Sequence, residues 1–383
     1  MNVHTAASGA RSRILGDGGK GFPTAAAMLA DATAQRARCS EFRRESRGVL
    51  FTTEAGRLGL DLGGGEGAQG FTPWALRQVG GIARVPAPVL ERLRPETAAR
   101  VLNETWPRDG AEGLESRAFL VEGARMEPGA GPAMEPTLRA VVSPSYRRVW
   151  DADLLGEASR WLLPSGWTPA YPERNTSGTP EGERERALWR SDRDSFAFFM
   201  SERRAEGGDD GLGGMRRGLF IGNSEVGARS LVWGSFWFRE VCANFLIWDA
   251  RDAQVRRRRH TAGIVGEVAD LRRWMREQVP TTTDADLVPF HVLNRTPFQV
   301  AEGDEPWAER FAVAVASQFD VTQALARKAA DLAGSDSAAR RGTWWDAVNA
   351  VTAAARSLNP GDRFEASMVA GRMASKGLAL ATS

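Results

Sequence analysis

The chain has 383 residues, 42% hydrophobic and 26% charged, with a formal net charge of +2. This is an ordinary globular profile, long enough to bury a sizeable core in one large domain or two smaller ones. No apolar run reaches the ~18 residues of a transmembrane helix, so no membrane partner is expected.

Two cysteines (Cys39, Cys242) and three histidines (His4, His260, His291) are scattered too widely for a disulfide framework or a zinc site. We therefore expect no metal and no cofactor. The N-terminus lacks a basic-then-apolar signal pattern, which leads us to expect a cytoplasmic protein. Lys20, Lys328 and Lys376 are the only lysines. Arginine presents a planar fork to phosphate, although a GC-rich genome produces the same bias.

Residues 1–70 are rich in Gly, Ala, Ser and Arg and are read as flexible or partly helical, with one helix over about 24–38. From residue 71 the punctuation becomes regular. Thr72 caps a short helix with Pro73 at its first position, Gly80-Gly81 closes it, and Pro88 and Pro95 open two more. RAFLVEG (117–123) and LRAVVS (138–143) read as strands, the second with Leu138, Ala140 and Val142 on one face. A helix follows, with Asp151 or Asp153 as the expected cap and Leu154, Leu155, Ala158, Trp161 and Leu162 as its buried face. Residues 172–186 form a polar loop by composition.

SFAFFMSE (195–202), GLFIGNS and ARSLVWG read as three consecutive strands, hence an antiparallel meander. SFWFREVCANFLIW is expected to be a helix laid on one of its faces. The remainder is helical, with stripes such as Ile264, Val268, Leu271 and Met275, and Trp344, Val348, Val351 and Ala355. The expected fold class is α+β: an antiparallel β-meander in a β-β-β-α core, packed with helices, with helical N- and C-terminal regions. The expected division is an N-terminal segment over 1–70, an α+β core domain over 71–260 and a helical region over 261–383 that packs on the core.

The tip Asn223-Ser224-Glu225-Val226-Gly227 invites three readings. A phosphate loop needs a Gly-Lys-Ser/Thr ending, and the tip has no lysine. It joins two strands and not a strand to a helix, which argues against a dinucleotide fingerprint. Ser224 and Glu225 are chain neighbours, which on a strand point to opposite faces and make no catalytic pair. We expect a turn, with Asn223 making an Asx-type bond and Gly227 at positive φ.

The run Arg256–Arg259 is the strongest charge feature. On an extended segment its side chains alternate faces, leaving about two on any one surface. With Arg203, Arg204, Arg216 and Arg217 around the hairpin loop it makes a candidate phosphate patch. The competing interpretation is a solvated run neutralised by Asp249, Asp252 and Glu267. Trp233 and Trp237 are the candidate rings for stacking on bases.

LRAVVSPSYRR, the Asn223–Gly227 turn, Cys242 and Asn244 as a Cys-x-Asn pair, and Arg259-His260 together resemble the phage- and plasmid-associated family called domain of unknown function 932. The resemblance spans about residues 70–375. Its motif positions here are Tyr146, Arg147, Asn223, Glu225, Gly227, Cys242, Asn244 and His260. It implies association with mobile elements and no established activity, and it supplies no catalytic residue. The β-β-β-α order is also similar to the core of phage single-strand-annealing recombination proteins, a likeness of topology alone.

The leading reading is a non-catalytic, oligomeric protein that binds or anneals single-stranded nucleic acid, single-stranded DNA in particular. One alternative is an enzyme with a site around Tyr146, Arg147, Asn223, Glu225, Asn244 and His260. The other is a structural or partner-binding protein of a mobile element.

Overall fold

The computed structural model describes residues 19–63, 67–108, 115–123, 135–170, 187–203, 212, 214–239, 244–246, 255–278, 284–300, 302, 304–335, 342–358 and 360–382. β1 (Lys20–Gly21) precedes α1 (Ala25–Arg38), whose first turn is capped by the Thr24 hydroxyl, bonded to the Ala27 N–H at 3.1 Å. Ala25, Met28 and Ala32 bury one face of this helix.

Beyond α1, where irregular chain was expected, come β2 (Cys39–Glu45) and the hairpin of β3 (Leu50–Glu54) and β4 (Arg57–Asp61). Ala55 and Gly56 join the hairpin with φ of 50° and 71°. Two left-handed residues in a row match the twist of such a hairpin. The many arginines and glycines of this stretch mask its two-residue alternation.

β5 (Gly70–Phe71) leads into α2 (Pro73–Ile82), capped by the Thr72 hydroxyl on the Ala75 N–H as the sequence predicts. α3 (Ala87–Leu90) and α4 (Pro95–Thr105) carry Pro88 and Pro95 in their first turns. β6 (Ser116–Glu122), β7 (Thr137–Val142), α5 (Asp151–Trp161), β8 (Trp167–Pro169), β9 (Leu188–Arg190) and β10 (Ser195–Ser201) follow. Next come β11 (Met215–Asn223), β12 (Leu231–Arg239), β13 (Asn244–Leu246) and β14 (Arg256–Arg258). The C-terminal helices are α6 (Ile264–Glu277), α7 (Asp284–Arg295), α8 (Trp307–Phe319), α9 (Gln323–Ser335), α10 (Trp344–Ala355) and α11 (Pro360–Thr382). The class is α+β.

The large sheet has the order β1-β9-β10-β11-β12-β13, with β8 also paired to β10 and β14 also paired to β12. β10, β11 and β12 form the predicted antiparallel meander, with Phe198 opposite Phe220 and Phe220 opposite Gly234. The helix expected after them is a correction: β12 runs on through Arg239, and β13 pairs back onto it from Asn244. β12 is buried on both faces. A strand of that kind reads as an unbroken apolar run, which periodicity cannot separate from a buried helix.

One face of the meander (Leu219, Ile221, Leu231, Trp233) packs against α1, α5 and α6. The other (Phe220, Val232, Phe236, Phe238) packs against Phe364 of α11. Gly218 makes this possible, because a Cβ there would lie 2.3 Å from the Phe236 ring.

The smaller sheet, β2-β6-β7-β5, shares a core with the β3–β4 hairpin and with α2 and α4. The helices α7 to α11 form a third core that takes in Met215 and Trp237 from the edge of the meander. No helix among the described residues is long and apolar enough to cross a membrane.

Candidate functional site

The turn between β11 and β12 lies where the two sheets and the start of α5 meet. Gly227 has φ 78°, as expected, and a Cβ there would come 3.2 Å from Val142. The local turn bonds come from Ser224 and not from an Asx bond of Asn223. Ser224 Oγ accepts from the Ala228 N–H at 2.9 Å and donates to the Arg193 carbonyl at 2.5 Å. Asn223 instead reaches away from the turn, donating to the Val149 carbonyl at 2.9 Å and to Asp151 Oδ1 at 2.8 Å. The Val226 carbonyl accepts from Trp74 Nε1 at 3.0 Å and from Gln78 Nε2 at 2.9 Å, which locks the tip to α2.

Glu225 is buried at the centre of an ion network. Its Oε1 accepts the Asp151 N–H at 2.9 Å, and its Oε2 accepts from Arg139 at 3.1 Å. The expectation that Asp151 or Asp153 caps α5 is thereby corrected. The cap residue is Trp150, and a carboxylate from the distant turn satisfies the first helical amide, where negative charge is favoured. Asp151 accepts from Arg190 at 3.1 Å and from Ser195 at 2.7 Å, while Arg190 also donates to Asp31 at 2.5 Å. Glu122 on β6 accepts from Arg38 at 2.8 Å and lies 3.6 Å from Arg139.

Burial, with the nearby Asp151 charge, pushes the Glu225 carboxyl above its ordinary pKa, against the pull of Arg139 and Arg190. Burial works against the charge of Arg139, but Glu225, Cys39 and Glu122 around it raise its pKa on balance.

Beside the tip an open cleft of about 390 Å³ is lined by the hydroxyl residues Ser143, Ser145, Ser230 and Thr261 and by Arg229, Arg259, Tyr146 and His260. The rings of Tyr146 and His260 stack with centroids 4.9 Å apart. The Tyr146 hydroxyl donates to the Ser224 carbonyl at 2.7 Å, and burial raises its pKa. Arg147 and His260 are tied twice: the Arg147 N–H donates to the His260 carbonyl at 2.9 Å, and His260 Nδ1 lies 3.1 Å from the Arg147 carbonyl. Burial, helped by the Arg148 charge, lowers the His260 pKa.

Arg229 is held by Glu365 at 2.6 Å and by Asp194 at 3.4 Å. Arg147 and Arg259 are exposed, and no carboxylate among the described residues pairs with either. Among the described residues, no group of His, Cys, Asp and Glu is arranged to hold a metal ion.

The proposed phosphate strip does not assemble as expected. Arg216 is 4% exposed and donates to the Ser201 and Glu202 carbonyls, closing the base of the hairpin. Trp233 and Trp237 are 1% and 3% exposed, in core positions with no face left for a base. Arg203 is exposed, Arg217 is half-buried, and Arg204 lies outside the described residues.

Arg216 and Arg217 pair with Phe238 and Trp237, whereas Arg256, Arg257 and Arg258 pair with Trp233, Val232 and Leu231. The two groups occupy opposite ends of β12, Phe238 and Leu231 being about 23 Å apart at strand rise. On β14 the arginines alternate as predicted. Arg257 lies 3.9 Å from Glu365 of α11, on the opposite side from Arg258, which pairs with Glu267 of α6 at 2.7 Å. Arg256 is half-buried, which leaves Arg259 as the one residue of the run that is exposed without a carboxylate among the described residues.

Of the family-motif positions, Tyr146, Arg147, Asn223, Glu225, Gly227 and His260 come together around the turn and the cleft. Asn244 pairs with Arg239 at the far end of β12, and Cys242 lies outside the described residues. Sequence reasoning missed Arg139, Arg190 and Asp151 as a network. The available signal was an arginine inside an otherwise apolar strand, where burial forces it to find carboxylates.

Residues 181–360 match the family model described as Domain of unknown function (DUF932). No curated protein and no solved structure matches the chain.

Proposed function

We propose that this chain, which through residues 181–360 belongs to the DUF932 family, binds single-stranded nucleic acid without cutting it, in the cleft beside the Asn223–Gly227 turn. One observation carries this reading. Arg259, exposed and without a carboxylate among the described residues, lines an open, hydroxyl-lined cleft, and the likewise exposed Arg147 follows the lining residue Tyr146 on a segment tied to His260 by a backbone pair. Guanidinium forks and hydroxyls are the groups that hold phosphate oxygens. An open cleft also suits an extended strand better than an enclosed small molecule.

Among the described residues no carboxylate lines the cleft to act as a general acid beside His260. Glu225 and Asp151 behind it are committed to arginines and to the first amide of α5. The proposal therefore keeps the nucleic-acid partner, single-stranded DNA included, and moves its contacts from the hairpin arginines and tryptophans to the cleft. Self-association belongs to the same proposal, and light scattering with and without oligonucleotide tests it.

Fluorescence anisotropy with a labelled single-stranded oligonucleotide tests the binding itself. Affinity is expected to fall with salt by about 0.7 log units per log unit of salt for each phosphate contact. Arg147→Ala and Arg259→Ala are each expected to weaken binding and to reduce that slope by about 0.7, while Arg203→Ala changes neither. The oligonucleotide stays full-length on a denaturing gel. Absence of binding at low salt, or an Arg203→Ala effect equal to that of Arg259→Ala, refutes the proposal.

A further inference from the structure

The phosphate contacts leave one buried group in the cleft unused. His260 is 5% exposed, lines the cleft, and has its Nε2 buried with no hydrogen-bond partner. Its Nδ1 lies 3.1 Å from the Arg147 carbonyl oxygen. A carbonyl only accepts, so Nδ1 carries the proton, and in the neutral ring Nε2 is a bare lone pair. Burial favours that neutral ring.

Buried acceptors without a donor are few in native folds, and each calls for an explanation. None of the neighbouring groups is within hydrogen-bond reach of Nε2. The Tyr146 hydroxyl is committed to the Ser224 carbonyl, and one of the Ser143 and Ser145 hydroxyls donates to the other at 2.6 Å.

The guanidinium-bearing residues are the immediate neighbours of His260: Arg259 precedes it in the chain, and Arg147 pairs with its backbone. A phosphodiester held by those two side chains brings its own sugar closest to the imidazole. In a single strand the sugar hydroxyl lies next to the phosphate, whereas the donors on the bases lie on the far side of the sugar. We propose that the strand bound in this cleft is RNA, and that His260 Nε2 accepts a hydrogen bond from a ribose 2′-hydroxyl. This inference rests on the nucleic-acid reading of the cleft and narrows it to one chemistry.

The test uses the full chain and three labelled uridine oligonucleotides of one length, with 2′-hydroxyl, 2′-deoxy and 2′-O-methyl sugars. The 2′-hydroxyl strand is expected to bind ~3–10-fold more tightly than the other two, the range of one neutral hydrogen bond. His260→Phe, which retains an aromatic ring beside Tyr146, should abolish the preference for the 2′-hydroxyl, so that this variant binds the RNA strand no more tightly than it binds the deoxy strand.

Equal affinity of the wild-type chain for all three strands overturns the RNA assignment and leaves the nucleic-acid reading standing. A preference for the 2′-hydroxyl that survives in His260→Phe overturns the role of His260. Failure of all three strands to bind removes the cleft reading and this inference with it.

Discussion

The turn at Asn223–Gly227 and the arginine run at Arg256–Arg259 lie on either side of one cleft and handle charge in opposite ways. The turn carries a single ionisable residue, Glu225, yet buries it with Arg139, Arg190 and Asp151 in a network that joins both sheets to the start of α5. The run carries four guanidiniums and keeps most of them near the surface, two of them facing single carboxylates on different helices. A high local density of charge in sequence therefore marks the solvated segment, and an isolated charge among apolar residues marks the buried one. The physical cause is desolvation: a buried ion must be paired and hydrogen-bonded, whereas an exposed ion has water.

Breaking each side of this comparison should give very different costs. Arg139→Ala removes one partner from a buried pair and leaves Glu225 and Glu122 short of a counter-charge, so a loss of about 3–5 kcal/mol is expected in urea unfolding. Arg258→Ala breaks a pair in which both side chains are partly exposed, and the same measurement should show no more than about 1 kcal/mol. Equal losses for the two variants would mean that the network at the turn is not what joins the sheets.

Gly227→Ala sharpens the role of the turn with no change in charge. Its φ of 78° costs a residue with a side chain about 1–2 kcal/mol, and the Val142 contact at 3.2 Å must also give way. The loss should therefore fall between those of the two arginine variants. Because Gly227 lines the cleft, oligonucleotide affinity is expected to fall as well, whereas Arg139→Ala, once folded at low temperature, should retain more of it.

The same contrast explains how much of the molecule could be read from its sequence. The capped and proline-opened helices were legible, because Thr72-Pro73 and Pro95 act through local backbone geometry. The meander was legible from its turn and its apolar runs. The extension of β12 was not, since burial on both faces removes the alternation that tells strand from helix. The tip was rightly read as a turn, but the partners of Glu225, namely Arg139, Asp151 and Arg190, come from 35 to 86 positions away, a proximity that no local pattern encodes. The cleft was half legible. Tyr146, Arg147, Arg259 and His260 stood out as motif positions, while Ser145, Ser230 and Thr261 carry no signal of their own until the fold gathers them.

The smallest expected effect is a pH dependence that pits the two regions against each other. His260 has a folded pKa below its ordinary value of 6.5, so between those two values the unfolded chain holds more protons than the folded one. The contribution of His260 to stability therefore rises with pH through that window and is lost as pH falls below 6.5. Glu225 has a folded pKa above 4.5, so in the window above that value the folded chain holds the extra proton and its contribution falls as pH rises.

Melting temperature measured across these windows separates the two groups. His260→Phe should remove the loss of stability below pH 6.5, and Glu225→Gln, which keeps an oxygen for the Asp151 N–H, should remove the opposing slope above 4.5. A His260→Phe curve that parallels the wild type would show that the imidazole meets solvent freely. The bare Nε2 lone pair on which its role in the cleft depends would then not be buried at all.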